Sequence, residues 1–151
     1  MKMRFLLMLS LILALGACKK FDAEEQAEID EGIITQYIAD KGLDATATGT
    51  GLYYVIDSLG TTVYPTLDDN VTVEYKGTYT DGTVFDESSA AGATFPLAGV
   101  IQGWQEGIQL FKEGGGGKLL IPSALAYGPN GSGSVPANTV LIFDVHLISV
   151  Q

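Results

Sequence analysis

The sequence predicts an α+β chain: an antiparallel sheet with a short helix on one face, preceded by a longer N-terminal helix. Three observations predict it. Short runs rich in β-branched and aromatic residues recur, several alternating with period two. Within that region only one brief segment, about residues 101–111, reads as a helix, and it carries the single Trp, Trp104. No βαβ period and no internal repeat is present.

The chain opens with Lys2 and Arg4, an apolar run of about 12 residues from Phe5 to Gly16, then Ala17 and Cys18. This is the pattern of a secretory signal, and the run is shorter than the roughly 20 residues that a spanning helix needs. Leu15-Gly16-Ala17-Cys18 resembles a bacterial lipoprotein signal box, in which the Cys becomes the lipid-bearing mature N-terminus. Cys18 is the only cysteine, so an exported chain has no disulfide partner for it. Residues 1–17 are therefore expected to be a signal peptide. Lipid on Cys18 would anchor the protein in the bacterial envelope, with the outer membrane favoured in a Gram-negative cell and the domain outside the cytoplasm.

Residues 18–50 form a helical tether and linker. Ile29, Ile33, Ile34, Tyr37 and Ile38 recur at three- and four-residue steps, which predicts a helix over about residues 22–41. Early acids and Lys41 suit its dipole, and Gly42 is a stop signal. The helix either packs on the following domain as a tether or pairs with a second copy. Residues 44–51, rich in Thr, Ala and Gly, read as linker.

The main domain spans residues 51–151. Leu52-Tyr53-Tyr54-Val55-Ile56 reads as a strand. Val71, Val73 and Tyr75 share one face of the next, and Asp81-Gly82 marks a hairpin turn before Thr83-Val84-Phe85-Asp86. A short strand over residues 94–97 precedes the helix. Gly103 and Gly107 flank Trp104, and each costs about 1 kcal/mol relative to Ala inside a helix. Such a segment needs tertiary packing, with strands wrapped around it and Trp104 as the floor of a pocket. The four glycines after Glu113 lack a Gly-Lys-Ser/Thr ending and precede an apolar strand, so they read as a turn rather than a phosphate loop. Residues 122–136 are a Gly/Ser/Pro loop around Tyr127, of a length that is usually functional. In the last strand, Leu141, Phe143, Val145 and Leu147 share one parity, with Ile142, Asp144, His146 and Ile148 on the other.

Charge and composition exclude several functions. The net charge is −10, and loss of Lys2 and Arg4 with the leader takes it to −12. Nucleic acid, which calls for clustered cations, is not an expected partner. One His and one Cys fall short of the three or four ligands of a zinc site, so no metal or cofactor is expected. His146 reads as a structural or exposed side chain, no nucleophile elbow is present, and Asp68-Asp69 lies in a solvated turn. What remains are aromatics where strands meet loops: Tyr75, Phe85, Trp104, Tyr127 and Phe143.

The segments Val73-Glu74-Tyr75-Lys76-Gly77-Thr78-Tyr79, Asp81-Gly82-Thr83-Val84-Phe85-Asp86-Glu87-Ser88, Val100-Ile101-Gln102-Gly103-Trp104-Gln105-Glu106-Gly107, Ile121-Pro122 with Leu125-Ala126-Tyr127-Gly128, and Leu141-Ile142-Phe143-Asp144-Val145 resemble the FKBP-type peptidyl-prolyl cis-trans isomerases. The match runs in order over about residues 51–151. The resemblance implies a sheet of about five antiparallel strands curled around the short helix. It implies a catalytic set of Tyr75, Phe85, Asp86, Tyr127 and Phe143, with Val100, Ile101 and Trp104 binding substrate. Trp104 would be the floor and Asp86 the polar group at the rim. The Ile101 N–H and the Tyr127 hydroxyl would donate to ligand carbonyls. It further implies X-Pro-containing polypeptides as partners and macrolides as inhibitors. Three departures fall at one wall and the roof. Ala93 stands where many relatives have another aromatic. Leu125 replaces the first Tyr of a frequent Tyr-Ala-Tyr-Gly form. Ser134-Val135 occupies the place of an Ile pair in a slightly shorter loop.

The expected function is therefore a peptidyl-prolyl cis-trans isomerase that aids folding of exported proteins. A membrane-anchored peptide-binding chaperone module with little catalysis is the alternative, and a structural lipoprotein that borrows the fold is a third reading. The intact aromatic set favours the first.

Overall fold

The computed structural model describes residues 23–151, so the expected leader over residues 1–17 and Cys18 lie outside the described residues. The first helix is α1, Ala23–Lys41. Glu24 and Glu25 in its first turn and Lys41 in its last complement the macrodipole. It ends at Gly42, where φ is +61° and the Leu43 N–H closes back on the Ile38 carbonyl at 3.0 Å.

The strands are β1 (Thr46–Ala47), β2 (Tyr53–Ser58), β3 (Asn70–Thr78), β4 (Val84–Glu87), β5 (Ala93–Pro96), β6 (Gly116–Ile121) and β7 (Leu141–Val150). They form one antiparallel sheet in the order β1-β2-β6-β7-β3-β4, and β5 also pairs with β3. The sheet has seven strands where the family resemblance implies about five. The two-residue β1 lies inside the stretch that reads as linker, and its pairing with β2 rather than its composition creates it. Long β3 shares one edge between two short strands: Asn70–Val73 faces β5, and Lys76–Thr78 faces β4.

The short helix α2, Gln102–Ile108, packs on the sheet's inner face. It is shorter than the predicted 101–111, and turns carry the chain through Leu110 and Phe111. Its two glycines permit its seat on β6. A Cβ at Gly103 would lie 2.4 Å from Ile121 Cγ2, and one at Gly107 would lie 2.5 Å from Leu119 Cδ2. The small residues let the helix axis approach the sheet until Trp104 and Ile108 are enclosed.

The period-two alternation separates two apolar layers. Leu119 and Ile121 of β6, with Leu141, Phe143, Val145 and Leu147 of β7, enter the inner core with Val71, Val73, Trp104 and Phe111. The opposite parity, Leu120 and Ile142, joins Val55, Val140 and Ile34 in a second layer. That layer lies beneath α1, so α1 packs on the outer face of the sheet. Ile34 is fully buried there, worth about 1.5–3 kcal/mol by itself. The apolar residues of α1 divide: Tyr37 and Ile38 pack beside Ile34, while Ile29 and Ile33 stay exposed.

The four-glycine run is only partly a turn. Gly114, with φ of +77°, makes the turn, but β6 already begins at Gly116. Gly116 and Gly117 lie between β7 and β2, so ladder bonds from both sides impose the extended form on residues of low strand propensity.

Candidate active site

A cavity of about 350 Å³ opens beside α2 and is lined by Tyr75, Asp86, Phe95, Gly99, Val100, Ile101, Trp104, Tyr127 and Phe143. Its size falls within the range of small-ligand pockets. Each wall comes from a different part of the chain. Tyr75 and Phe143 project inward from β3 and β7, Phe95 from β5, and Asp86 from β4. Val100 and Ile101 form the link into α2, and Tyr127 stands on the loop after β6, where it is 38% exposed.

Trp104, Tyr75 and Phe143 each meet three other rings, and Trp104 lies beneath the cavity. Tyr75, Phe143 and Phe95 meet Trp104 edge-on, with centroids at 5.1, 5.3 and 5.7 Å. Such T-shaped pairs each add about 0.5–1.5 kcal/mol beyond their buried area. The indole Nε1–H is buried and finds no acceptor among the described residues. Ile101 caps α2 with its carbonyl, which accepts from the Trp104 and Gln105 N–H groups at 2.9 and 3.0 Å. Gln105 Nε2 donates to the Val100 carbonyl at 2.8 Å, so this rim is braced from within the helix.

Of the residues expected to form the site, Tyr75, Asp86, Val100, Ile101, Trp104, Tyr127 and Phe143 converge on this cavity. Phe85 does not line it. Its ring stands behind Phe143 at 5.5 Å, edge-on, and beside Tyr79 at 5.2 Å. Gly77 makes room for that arrangement, since a Cβ there would lie 2.6 Å from Phe85 Cζ and 2.8 Å from Phe143 Cε1. Phe95 lines the cavity without being singled out by the sequence reading. It shares a strand face with Ala93, two residues earlier, so an aromatic wall is present although Ala93 supplies none. That period-two relation is the signal that could have found it.

The Tyr75 hydroxyl donates to Asp86 Oδ2 at 2.9 Å. Burial pushes the Tyr75 pKa up from 10.0 to about 12, helped by the hydrogen bond to Asp86 and by the charge of that carboxylate. The neutral phenol is thus the favoured form. Stability from this contact is fully present below pH 10.0, the ordinary value, and is lost as pH rises through about 12. Ultraviolet titration of tyrosinate should show one late-ionising tyrosine that is absent in Tyr75→Phe and shifted downward in Asp86→Asn. A Tyr75 that titrates at its ordinary value would break the proposed coupling.

The single His lies elsewhere. His146 is on the outer face, directly across the β3–β7 ladder from Glu74, with Nδ1 3.7 Å from a Glu74 oxygen. The outer-face depression around them also carries Asp57, Lys76, Glu87 and Asp144, so charged side chains crowd it.

The family model for FKBP-type peptidyl-prolyl cis-trans isomerases matches residues 62–148, more than half of the chain. FkpA of Aeromonas hydrophila, an FKBP-type peptidyl-prolyl cis-trans isomerase, is 45% identical over 132 residues, covering 86% of this chain and 48% of the relative. The outer membrane protein MIP of Legionella longbeachae is 48% identical over 105 residues, covering 68% of this chain and 45% of the relative. A crystal structure of a peptidyl-prolyl cis-trans isomerase from Pseudomonas syringae pv. tomato superposes with a TM-score of 0.74 at 30% identity, covering 86% of this chain and 96% of that one. The chain spans about half the length of the curated relatives it matches.

Proposed function

Because the chain belongs to the FKBP-type peptidyl-prolyl cis-trans isomerase family, we propose that it accelerates rotation about X-Pro bonds in polypeptides folding in the cell envelope. One observation carries this reading: an apolar cavity floored by a Trp and walled by Tyr75, Phe95 and Phe143, with a single carboxylate, Asp86, at its rim. That is a shape for a proline ring with a few polar groups to fix the chain.

Rotation about a peptide bond faces a barrier of about 18–20 kcal/mol because amide resonance must be broken. No covalent bond is made or lost. The planar amide carries more charge separation than the twisted one, so an apolar, water-poor site disfavours the ground state more than the transition state. Each 1.36 kcal/mol of that difference is about tenfold in rate. The proline ring sits on Trp104 between Tyr75 and Phe143. The Ile101 N–H and the Tyr127 hydroxyl hold carbonyls of the peptide on either side, and Asp86 keeps Tyr75 in place. The same cavity would accept a macrolide inhibitor.

The test is a protease-coupled isomerisation assay on an X-Pro peptide. Acceleration over buffer is expected, falling about tenfold or more with Asp86→Ala if the rim carboxylate orients the site. A wild-type rate equal to buffer would sink the enzyme reading and leave a peptide-binding module. Location rests on the Leu15-Gly16-Ala17-Cys18 box and on the outer-membrane description of the Legionella longbeachae relative. Lipid on Cys18 holds the domain at the membrane, so Cys18→Ser should move the protein from the membrane to the soluble fraction. Unchanged fractionation would refute the anchor.

A further inference from the structure

Asp30 is a buried acid on α1, 1% exposed, in a helix whose other acids lie largely at the surface. Its Oδ2 accepts the Ser123 N–H at 2.7 Å and the Ser123 hydroxyl at 2.6 Å, and its Oδ1 accepts Gln26 Nε2 at 2.7 Å. Ser123 opens the one-turn 3₁₀ helix Ser123–Leu125. The residue before it is Pro122, whose side chain has no acceptor to cap that turn. Asp30, 93 residues away in sequence, supplies the acceptor instead.

The turn leads directly into the site. Leu125 and Ala126 pack against the inner core, and Tyr127 follows at the cavity mouth. Beyond it, Gly128–Asn130 makes a second 3₁₀ turn, and the Gly128 carbonyl accepts from the Asn138 N–H at 2.8 Å. The start of the loop is thus pinned from α1 on the outer face, while its end presents Tyr127 to the inner face. Burying a carboxylate is costly unless hydrogen bonds compensate it, and three donors are aimed at this one. Asp30 lies outside the matched residues 62–148.

We propose that Asp30 is a positioning residue for the isomerase site: α1, through its carboxylate, fixes the Ser123–Leu125 turn and thereby places the Tyr127 hydroxyl over the cavity. This rests on the isomerase reading for its activity readout only. The contact to Ser123 makes two linked predictions, one about loop order and one about how Asp30 and Tyr127 combine.

The experiment is a double-mutant cycle in the full chain with Asp30→Ala, Tyr127→Phe and both, scored by kcat and KM on an X-Pro peptide. Asp30→Ala should lower kcat/KM about tenfold through displacement of a positioned group. It should add little in the Tyr127→Phe background, because a residue that acts through another is non-additive with it. Asp30→Asn keeps the shape, can turn its oxygen toward Ser123 while Gln26 flips its amide, and should recover most of the activity. Amide hydrogen exchange at Ser123, Leu125 and Ala126 should speed up in Asp30→Ala, with β3 and β7 unchanged. If Asp30→Ala does not fold, the cycle is run with Ser123→Ala, which removes one of the two Ser123 bonds. Additive losses, or wild-type exchange in the loop of a folded Asp30→Ala, would overturn the proposal. If the wild type itself shows no isomerase activity, that reading fails separately. Loop exchange and peptide titration followed by Trp104 fluorescence, the only Trp in the chain, then decide the role of Asp30 in binding.

Discussion

Trp104→Ala lowers stability by about 3–5 kcal/mol and removes most of the isomerase activity. The side chain is 4% exposed and meets three rings edge-on, so truncation leaves a void at the centre of the inner core rather than at its margin. A loss of that size is a large share of the roughly 5–15 kcal/mol of a typical domain. Activity falls for a different reason: the proline ring loses its floor, and the walls that leaned on Trp104 are freed to close the cavity. Trp104→Phe separates the two effects. It keeps an aromatic floor and removes the buried Nε1–H that has no acceptor among the described residues, a defect worth about 1–3 kcal/mol. Part of the lost volume is thereby offset, and Trp104→Phe should be closer to wild type in denaturant midpoint than in turnover. Chemical denaturation and the X-Pro assay measure both. A stable Trp104→Ala protein with wild-type turnover would mean that substrate does not rest on this ring.

How much of this was legible in the sequence depended on whether a residue's environment is set locally. The parity of β7 was readable because alternation is a property of the strand itself, and Leu141, Phe143, Val145 and Leu147 do enter the inner core. Gly103 and Gly107 were readable as a helix defect that packing must explain, and Ile121 and Leu119 supply that packing. Gly116 and Gly117 were not, since their extended form comes from ladders on both sides rather than from glycine. The helical repeat of α1 gave its existence but not its seat. Period alone cannot say that Ile34 would be enclosed while Ile29 and Ile33 stay exposed. Asp30 was the hardest case. In an acidic helix every carboxylate looks solvated, and the partner that buries this one is Ser123, at the far end of β6. In the site itself, Phe85 carries a family motif yet stands behind Phe143, whereas Phe95 lies within no quoted motif and lines the cavity. Motif membership reports a residue's place in the chain, and the strand face on which it falls decides what it touches.

That distinction gives the second large effect. Phe143→Ala should cost about 3–5 kcal/mol and lower kcat/KM at least as much as Asp86→Ala. Phe143 is 4% exposed, opposite Leu119 on one ladder and Gly77 on the other, and it touches both Trp104 and Phe85. Among the described residues it is the one ring in contact with the floor on its inner side and with the supporting ring behind it. Removing it opens the cavity toward Phe85 and lets water reach the site, which weakens the preference for the less polar twisted amide. Phe143→Leu holds most of the volume but gives up two edge-on ring pairs, so its stability loss should be about 1–3 kcal/mol, less than that of Phe143→Ala, while turnover still falls because the ring edges that define the wall are gone. Phe85→Ala is the control. A ring that supports the wall without lining the cavity should cost stability when removed but change KM and kcat less than Phe143→Ala does. Equal kinetic losses in the two Ala variants, at matched folded fractions, would place Phe85 in the substrate box and show that the cavity extends further behind Phe143 than its free-state lining indicates.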